Sequence, residues 1–226
     1  MAVVTMDTEQ ARFNMIEQQI RPWDVLDPAV LSLLSLVKRE DFVPAAYKDL
    51  AFADLEIPIG AKGNPGQTML APKVEARILQ ELAIRNTDTV LEIGTGTGYM
   101  AALLAAKAEY VYSVEIDPEL AAMARKNLQQ SDVVNVSVET GDGAQGWPAM
   151  APYDVIVLSG SVPLLPDTLL GQLKIGGRLV AIVGEVPAMA VQLVTHTKEN
   201  AFSTINVFET VVAPLVNATQ HSKFVF

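Results

Sequence analysis

The sequence predicts an α/β fold, a mostly parallel sheet wrapped by helices with antiparallel strands at one edge. Three observations carry that expectation. From Thr89 onward, short and almost continuously apolar runs alternate with helix-like stretches, the pattern of a sheet covered on both faces. The first of these runs enters a glycine-rich turn, Gly94-Thr95-Gly96-Thr97-Gly98, that opens a helix. Half of the 226 residues are apolar and 19% are charged. That composition supports a large core and excludes a disordered chain. The length suits one domain of more than average size, or a compact core with an extension.

The elements follow in order. Phe13 to Ile20 reads as a short helix. Asp27 is placed to cap a second helix and Pro28 suits its first turn. The following Val30, Leu31, Leu33, Leu34 and Leu36 make that helix apolar enough to pack on the main body. From Asp54 to Pro72 the periodicity is lost among Pro58, Gly60, Gly63, Pro65 and Gly66. This predicts a long loop, and loops of that length in compact domains are usually functional. A helix is expected from Lys73 to Ala83. Strands are expected at Thr89–Ile93, Tyr110–Ile116, Val134–Glu139, Tyr153–Leu158 and Arg178–Val183. Helices are expected at Tyr99–Ala108, Pro118–Gln129 and Thr168–Leu173. Ala190–Thr197 and Ser203–Pro214 read as a strand pair that adds the antiparallel edge. The whole is a Rossmann-like, doubly wound sheet with an N-terminal helical extension.

Composition also excludes functions. The net charge is −10 and the pI is near 4.6, which opposes binding to nucleic acid or to anionic lipid. There is no cysteine, so disulfides, thiolate nucleophiles and thiolate zinc sites are excluded. His196 and His221 are the two histidines, too few for an ordinary histidine-based metal site, and no metal is expected. No apolar run approaches the roughly 18–20 residues that span a bilayer, and Met1 to Gln10 does not resemble a signal peptide. A cytoplasmic protein is expected, with oligomeric state left open.

Glycines between a first strand and its helix let a ligand lie against bare backbone, at the sheet edge where nucleotide-like ligands bind. A tight turn with no ligand is the plainer alternative. The dinucleotide fingerprint needs its last glycine at the position held here by Tyr99, so a pyrophosphate-cradling oxidoreductase fits poorly. The spacing resembles motif I of the S-adenosylmethionine-dependent methyltransferases, which implies Glu92, Gly94, Thr95, Gly96, Gly98 and Tyr99 as residues around that cofactor. Glu115 ends the second strand 21 positions after Gly94. A carboxylate there can accept both ribose hydroxyl protons, with Ile116 beside it; alone, it could equally be a solvated strand-end group. Gly141-Asp142-Gly143 follows the third strand. In methyltransferases of this fold an acidic residue there contacts the adenine amino group, although alone the triplet reads as an ordinary turn.

With their neighbours, these residues resemble the protein-L-isoaspartate O-methyltransferase family from about Met15 to Leu215. The N-terminal Met15-Ile16-Glu17-Gln18-Gln19-Ile20 and Asp27-Pro28-Ala29-Val30, and Arg39-Glu40-Asp41-Phe42-Val43-Pro44 with Tyr47, look like family segments. So do Gly141–Trp147 with Ala151-Pro152-Tyr153-Asp154, Gln172–Val180 ending in Val183-Gly184, and Val212-Ala213-Pro214-Leu215. The resemblance implies methyl transfer from S-adenosylmethionine to the α-carboxylate of L-isoaspartyl residues in a protein or peptide. A carboxylate is already an anionic nucleophile, so placement supplies most of the catalysis. The implied division is residues 1–72 as helices and active-site loop packed on a core of residues 73–226, the two forming one structural domain overall.

The chain departs from the family in that loop, where "G-x-x-T-I-S-x-P" is matched by Gly66-Gln67-Thr68-Met69-Leu70-Ala71-Pro72. Thr68 and Pro72 align, but Leu70 holds the place of the serine usually assigned the active-site role, and leucine has no donor. Lys73 stands where a histidine often occurs; it is either a cationic contact for the acceptor or a solvated group. The stretch Gly60–Pro65 is longer than the family's usual one. Ser159 and Ser161 follow the fourth strand and are expected at the acceptor pocket, against the alternative of a flexible turn. Three outcomes stay open: isoaspartyl methylation despite Leu70, another carboxylate or small-molecule acceptor, or cofactor binding without catalysis. Trp23, Trp147 and His196 read as packing residues, and His221 as part of a polar tail.

Overall fold

The computed structural model of the chain describes residues 7–60 and 66–220. Gly63, Pro65 and most of the longer stretch Gly60–Pro65 lie outside the described residues, as does His221. The first helix, α1 (Thr8–Met15), begins earlier than the apolar pattern suggests, because Asp7 accepts hydrogen bonds from the amides of Glu9 and Gln10. It continues through a π-helical turn, Ile16–Ile20. Helix α2 (Pro28–Leu36) is capped as expected, with Asp27 accepting from the Ala29 amide at 2.8 Å. The expected loop carries a two-residue ladder between β1 (Ile57–Pro58) and β2 (Thr68–Met69). Helix α3 (Pro72–Leu82) follows.

The alternation then gives β3 (Thr89–Ile93), α4 (Tyr99–Ala105), β4 (Tyr110–Glu115), α5 (Pro118–Gln130) and β5 (Val136–Thr140). After it come β6 (Tyr153–Val162), α6 (Asp167–Leu170), β7 (Leu173–Glu185), β8 (Ala188–Lys198) and β9 (Ala201–Glu209). The sheet order is β5-β4-β3-β6-β7-β8-β9. Pairings from β5 to β7 are parallel and those of β7-β8-β9 antiparallel, so the expected edge is present. Strand β6 runs past the expected Leu158 because Ser161 pairs with Ile182 and bridges to Pro214. Strand β9 stops at Glu209, short of the expected Pro214.

Alternate residues of each central strand enter two separate core layers. Val90, Val155, Val157, Val180 and Ile182 pack with α3, α4 and the N-terminal Met15, Ile20, Val30 and Phe42. Leu91, Ile156, Leu158, Leu179 and Ala181 pack on the opposite face. Burying strands on both faces is why they read as unbroken apolar runs. Arg178 of β7 ties sheet to helix: its Nε donates to the Leu82 carbonyl at 2.6 Å and its Nη2 to Asp88 at 2.6 Å. Arg178→Ala is expected to cost about 2 kcal/mol, read as a lower urea midpoint at unchanged slope. Among the described residues no helix is long and apolar enough to cross a membrane.

Candidate active site

The chain leaves β3 outward to β4 and β5, then returns to β6 on the other side of β3. This reversal opens a crevice at the carboxyl ends of the strands. The turns after β3, β4, β5 and β6 border one open cavity. Gly94 and Gly96 take φ of +92° and +55° and border it with bare backbone. Gly98 does not border it. A Cβ on Gly98 would stand 3.3 Å from Leu128 and 3.4 Å from Ala124, so this glycine serves the close packing of α4 on α5.

Glu115 closes β4 at the cavity wall and is 6% exposed. It accepts from the Gly96 amide at 2.8 Å and the Asp117 amide at 3.0 Å. Its carboxylate therefore fixes the glycine turn and also offers lone pairs to the cavity. Ile116 and the Gly141-Asp142-Gly143 turn border the same space. Asp142 accepts from the Ala144 amide at 2.9 Å and from Asn217 Nδ2 at 2.8 Å.

Three residues expected around the cofactor sit behind the glycine turn instead. Glu92, fully buried, borders only a smaller space, with one carboxylate oxygen 2.9 Å from Ser159 Oγ and the other 2.6 Å from Ser113 Oγ. Thr95 Oγ1 lies 2.6 Å from Ser113 Oγ. Tyr99 packs its ring against Phe42 and beneath the Arg39 guanidinium, 5.5 Å and 5.2 Å between centres. As the first residue of α4 it points away from the cavity into the core. Burial pushes the Glu92 carboxyl up to about 8, against the two serine hydrogen bonds, and the nearby acids Glu115 and Glu75 push the same way. The folded state thus keeps a proton that the unfolded chain loses. Stability contributed by this group is complete below about pH 4.5 and is lost as pH rises towards 8. Glu92→Gln is expected to flatten that decline, measured as urea midpoint against pH.

On the acceptor side, Thr68 and Leu70 both border the cavity. Thr68 Oγ1 donates to Glu56 at 2.7 Å. The Leu70 side chain is buried and its carbonyl accepts from Arg39 Nη2 at 2.7 Å. Arg39 is itself buried and paired with Glu75. Ser159 borders the cavity as expected, but Ser161 does not. Ser161 is fully buried and pins the chain crossing the cleft, bonding to the Val212 and Ala213 carbonyls and the Leu215 amide at 2.9–3.0 Å. Lys73 is also elsewhere. Its ammonium pairs with Asp54 at 2.7 Å and lies 4.1 Å from the Trp23 ring centre, because the first turn of α3 projects it towards the N-terminal helices. Among the described residues bordering the cavity there is no lysine, arginine or histidine, and Glu115 and Asp142 are the acids. The expected cationic contact at Lys73 is therefore not made there.

Sequence reasoning missed Ile59, Gln67 and the 212–216 segment as cavity walls. Gln67 donates to Asp117 at 2.7 Å and ties the loop to the β4–α5 turn. Apolar wall residues carry no chemical signal of their own; Val212–Leu215 was visible only through family resemblance. His196 stacks on Phe202 at 4.5 Å, and Trp23 packs edge-on against Phe208. Among the described residues no acid or histidine cluster could hold a metal.

The chain matches the family model for protein-L-isoaspartate(D-aspartate) O-methyltransferase over residues 10–220. A protein-L-isoaspartate O-methyltransferase of Koribacter versatilis is 43% identical over 183 residues, 81% of each chain. One of Rhodopseudomonas palustris is 40% identical over 205 residues, 90% of this chain and 92% of that protein. A solved protein-L-isoaspartate O-methyltransferase superposes with a TM-score of 0.76 at 26% identity, covering 92% of this chain and 65% of that one. A Plasmodium falciparum structure in complex with S-adenosyl-L-homocysteine shares the fold, with a TM-score of 0.75 at 18% identity, covering 92% and 97%.

Proposed function

Because the chain belongs to the protein-L-isoaspartate(D-aspartate) O-methyltransferase family, we propose that it methylates the free α-carboxylate of L-isoaspartyl residues in proteins and peptides, using S-adenosylmethionine. The observation that carries this is the placement of Glu115, a buried carboxylate at the cavity wall that accepts from the Gly96 amide beside the bare backbone of Gly94. Those residues fit the cofactor: a carboxylate for vicinal hydroxyls, and glycine backbone for its amino-acid end. Asp142 and Ile116 are suited to its base. Bound S-adenosylmethionine supplies a sulfonium methyl, whose passage to a carboxylate oxygen needs no base.

The protein's contribution is position and dryness. Ile59, Leu70, Val212 and Leu215 form an apolar wall beside Gly94. Such a wall strips water from an entering carboxylate and holds it in line, which together can supply several kcal/mol. The net charge of −10 continues to weigh against a nucleic-acid acceptor. Incubation with labelled cofactor and an isoaspartyl peptide is expected to give a base-labile methyl ester on the peptide. Cofactor binding without any ester would overturn the reading.

Leu70 favours a second reading, in which the acceptor is a different carboxylate. A gain above about tenfold in peptide kcat/KM for Leu70→Ser, the worth of one hydrogen bond to a charged group, would support it.

A further inference from the structure

Leu70 leaves the loop without a hydroxyl for the acceptor. Among the described residues bordering the cavity, two carry hydroxyls, Thr68 and Ser159. The Thr68 proton is committed to Glu56. Ser159 borders both the cavity and the smaller space behind it, and it ends a chain of short contacts. Thr95 Oγ1 to Ser113 Oγ is 2.6 Å, Ser113 Oγ to Glu92 is 2.6 Å, and Glu92 to Ser159 Oγ is 2.9 Å.

A hydroxyl has one proton to give. Thr95 gives to Ser113, and Ser113 gives to one oxygen of Glu92. If the other Glu92 oxygen carried a negative charge, it would take the Ser159 proton. If that oxygen carries a proton, it gives to Ser159, and the Ser159 proton is free to turn into the cavity. The charged groups that act on Glu92 are Glu115 from β4 and Glu75 from α3, the latter paired with Arg39, and Glu92 is fully buried with serine hydroxyls against both of its oxygens. Burial with no cation paired to it raises such a carboxyl and favours its neutral form.

We propose that Ser159 makes the hydrogen bond to the acceptor carboxylate that Leu70 cannot make, and that Glu92, as a neutral acid, is the positioning residue that turns the Ser159 hydroxyl towards it. This rests on the carboxylate-methylating reading above. A neutral buried acid serving as a donor has precedent in enzyme sites.

Two measurements test it. Infrared spectra of protein carrying ¹³C-labelled glutamate, with Glu92→Gln as reference, read the protonation of Glu92 without turnover. Steady-state kinetics with saturating S-adenosylmethionine and an N-acetylated isoaspartyl peptide read Ser159. We expect a protonated carboxyl band at pH 7 that is lost in Glu92→Gln. Ser159→Ala should raise peptide KM about tenfold or more, with kcat changed less than about threefold and cofactor affinity retained. Ser159→Thr, which keeps the donor, should recover most of that loss. In the wild type, peptide KM should climb as pH passes about 8, and in Glu92→Gln that climb should vanish. An ionised Glu92 at pH 7 overturns the proposal whether or not the peptide is a substrate, and so does an unchanged KM in Ser159→Ala. A protonated band with no peptide ester in the wild type overturns the isoaspartyl reading, and the role of Ser159 with it, while Glu92 stands as a neutral acid.

Discussion

Glu115→Ala is expected to weaken S-adenosylmethionine binding about 100-fold or more, by isothermal titration. Two losses add. A carboxylate that accepts both hydroxyls of a ribose makes charge-assisted bonds of about 1.5–3 kcal/mol each. The same carboxylate holds the Gly96 and Asp117 amides, so its removal also loosens the turn on which the cofactor rests. Glu115→Gln keeps the shape and one acceptor, and should fall between wild type and alanine. Both variants should retain the sheet, since Glu115 lies at the rim and the freed amides can reach water. An unchanged cofactor affinity in Glu115→Ala would remove the central assignment of the cavity.

The largest effect on stability is expected at Arg39. Arg39→Ala should cost about 3–5 kcal/mol, seen as a thermal midpoint lower by roughly 10–15 °C. The guanidinium is fully buried, and it holds together parts far apart in sequence: Glu75 on α3, the Leu70 carbonyl in the acceptor loop and the Tyr99 ring on α4. Removing it strands Glu75, whose carboxyl burial already pushes up while Arg39 pulls it down. Glu75→Leu alone strands the arginine and should be as damaging. Arg39→Met with Glu75→Leu should be less harmful than either single change, because a buried ion pair costs most when half of it is left. A double variant as unstable as the sum of the singles would show that the two do not act as a pair.

The parts of the site that were legible in the sequence are those fixed by turn chemistry. Gly94, Gly96, Glu115 and the Gly141–Gly143 turn follow successive parallel strands, and topology alone brings such strand ends to one edge. Strand β3 was legible to the residue, being an apolar run bounded by a polar turn and a glycine. Side-chain direction was not legible. Ser159 and Ser161 are two apart on one strand and should share a face, yet the pairing register shifts between Val157 and Ser161. A bulge of that kind re-aims side chains, so one serine meets the cavity and the other faces the 212–216 segment. Lys73 and Tyr99 open helices whose phase is set by tertiary packing, and each found a partner that local pattern does not encode: Asp54 with Trp23, and Phe42 with Arg39.

The wall drawn from residues 212–216 is the last part of the site that the chain supplies. It lies downstream of every strand of the sheet and is held by Ser161 and by the Asn217–Asp142 contact. During synthesis the strands, the glycine turn and Glu115 all emerge before it. This apolar side of the crevice is therefore the last part of the site to be synthesised. Trimming the chain just beyond β9 would remove that wall and, with it, Val212 and Ala218 from the two core layers.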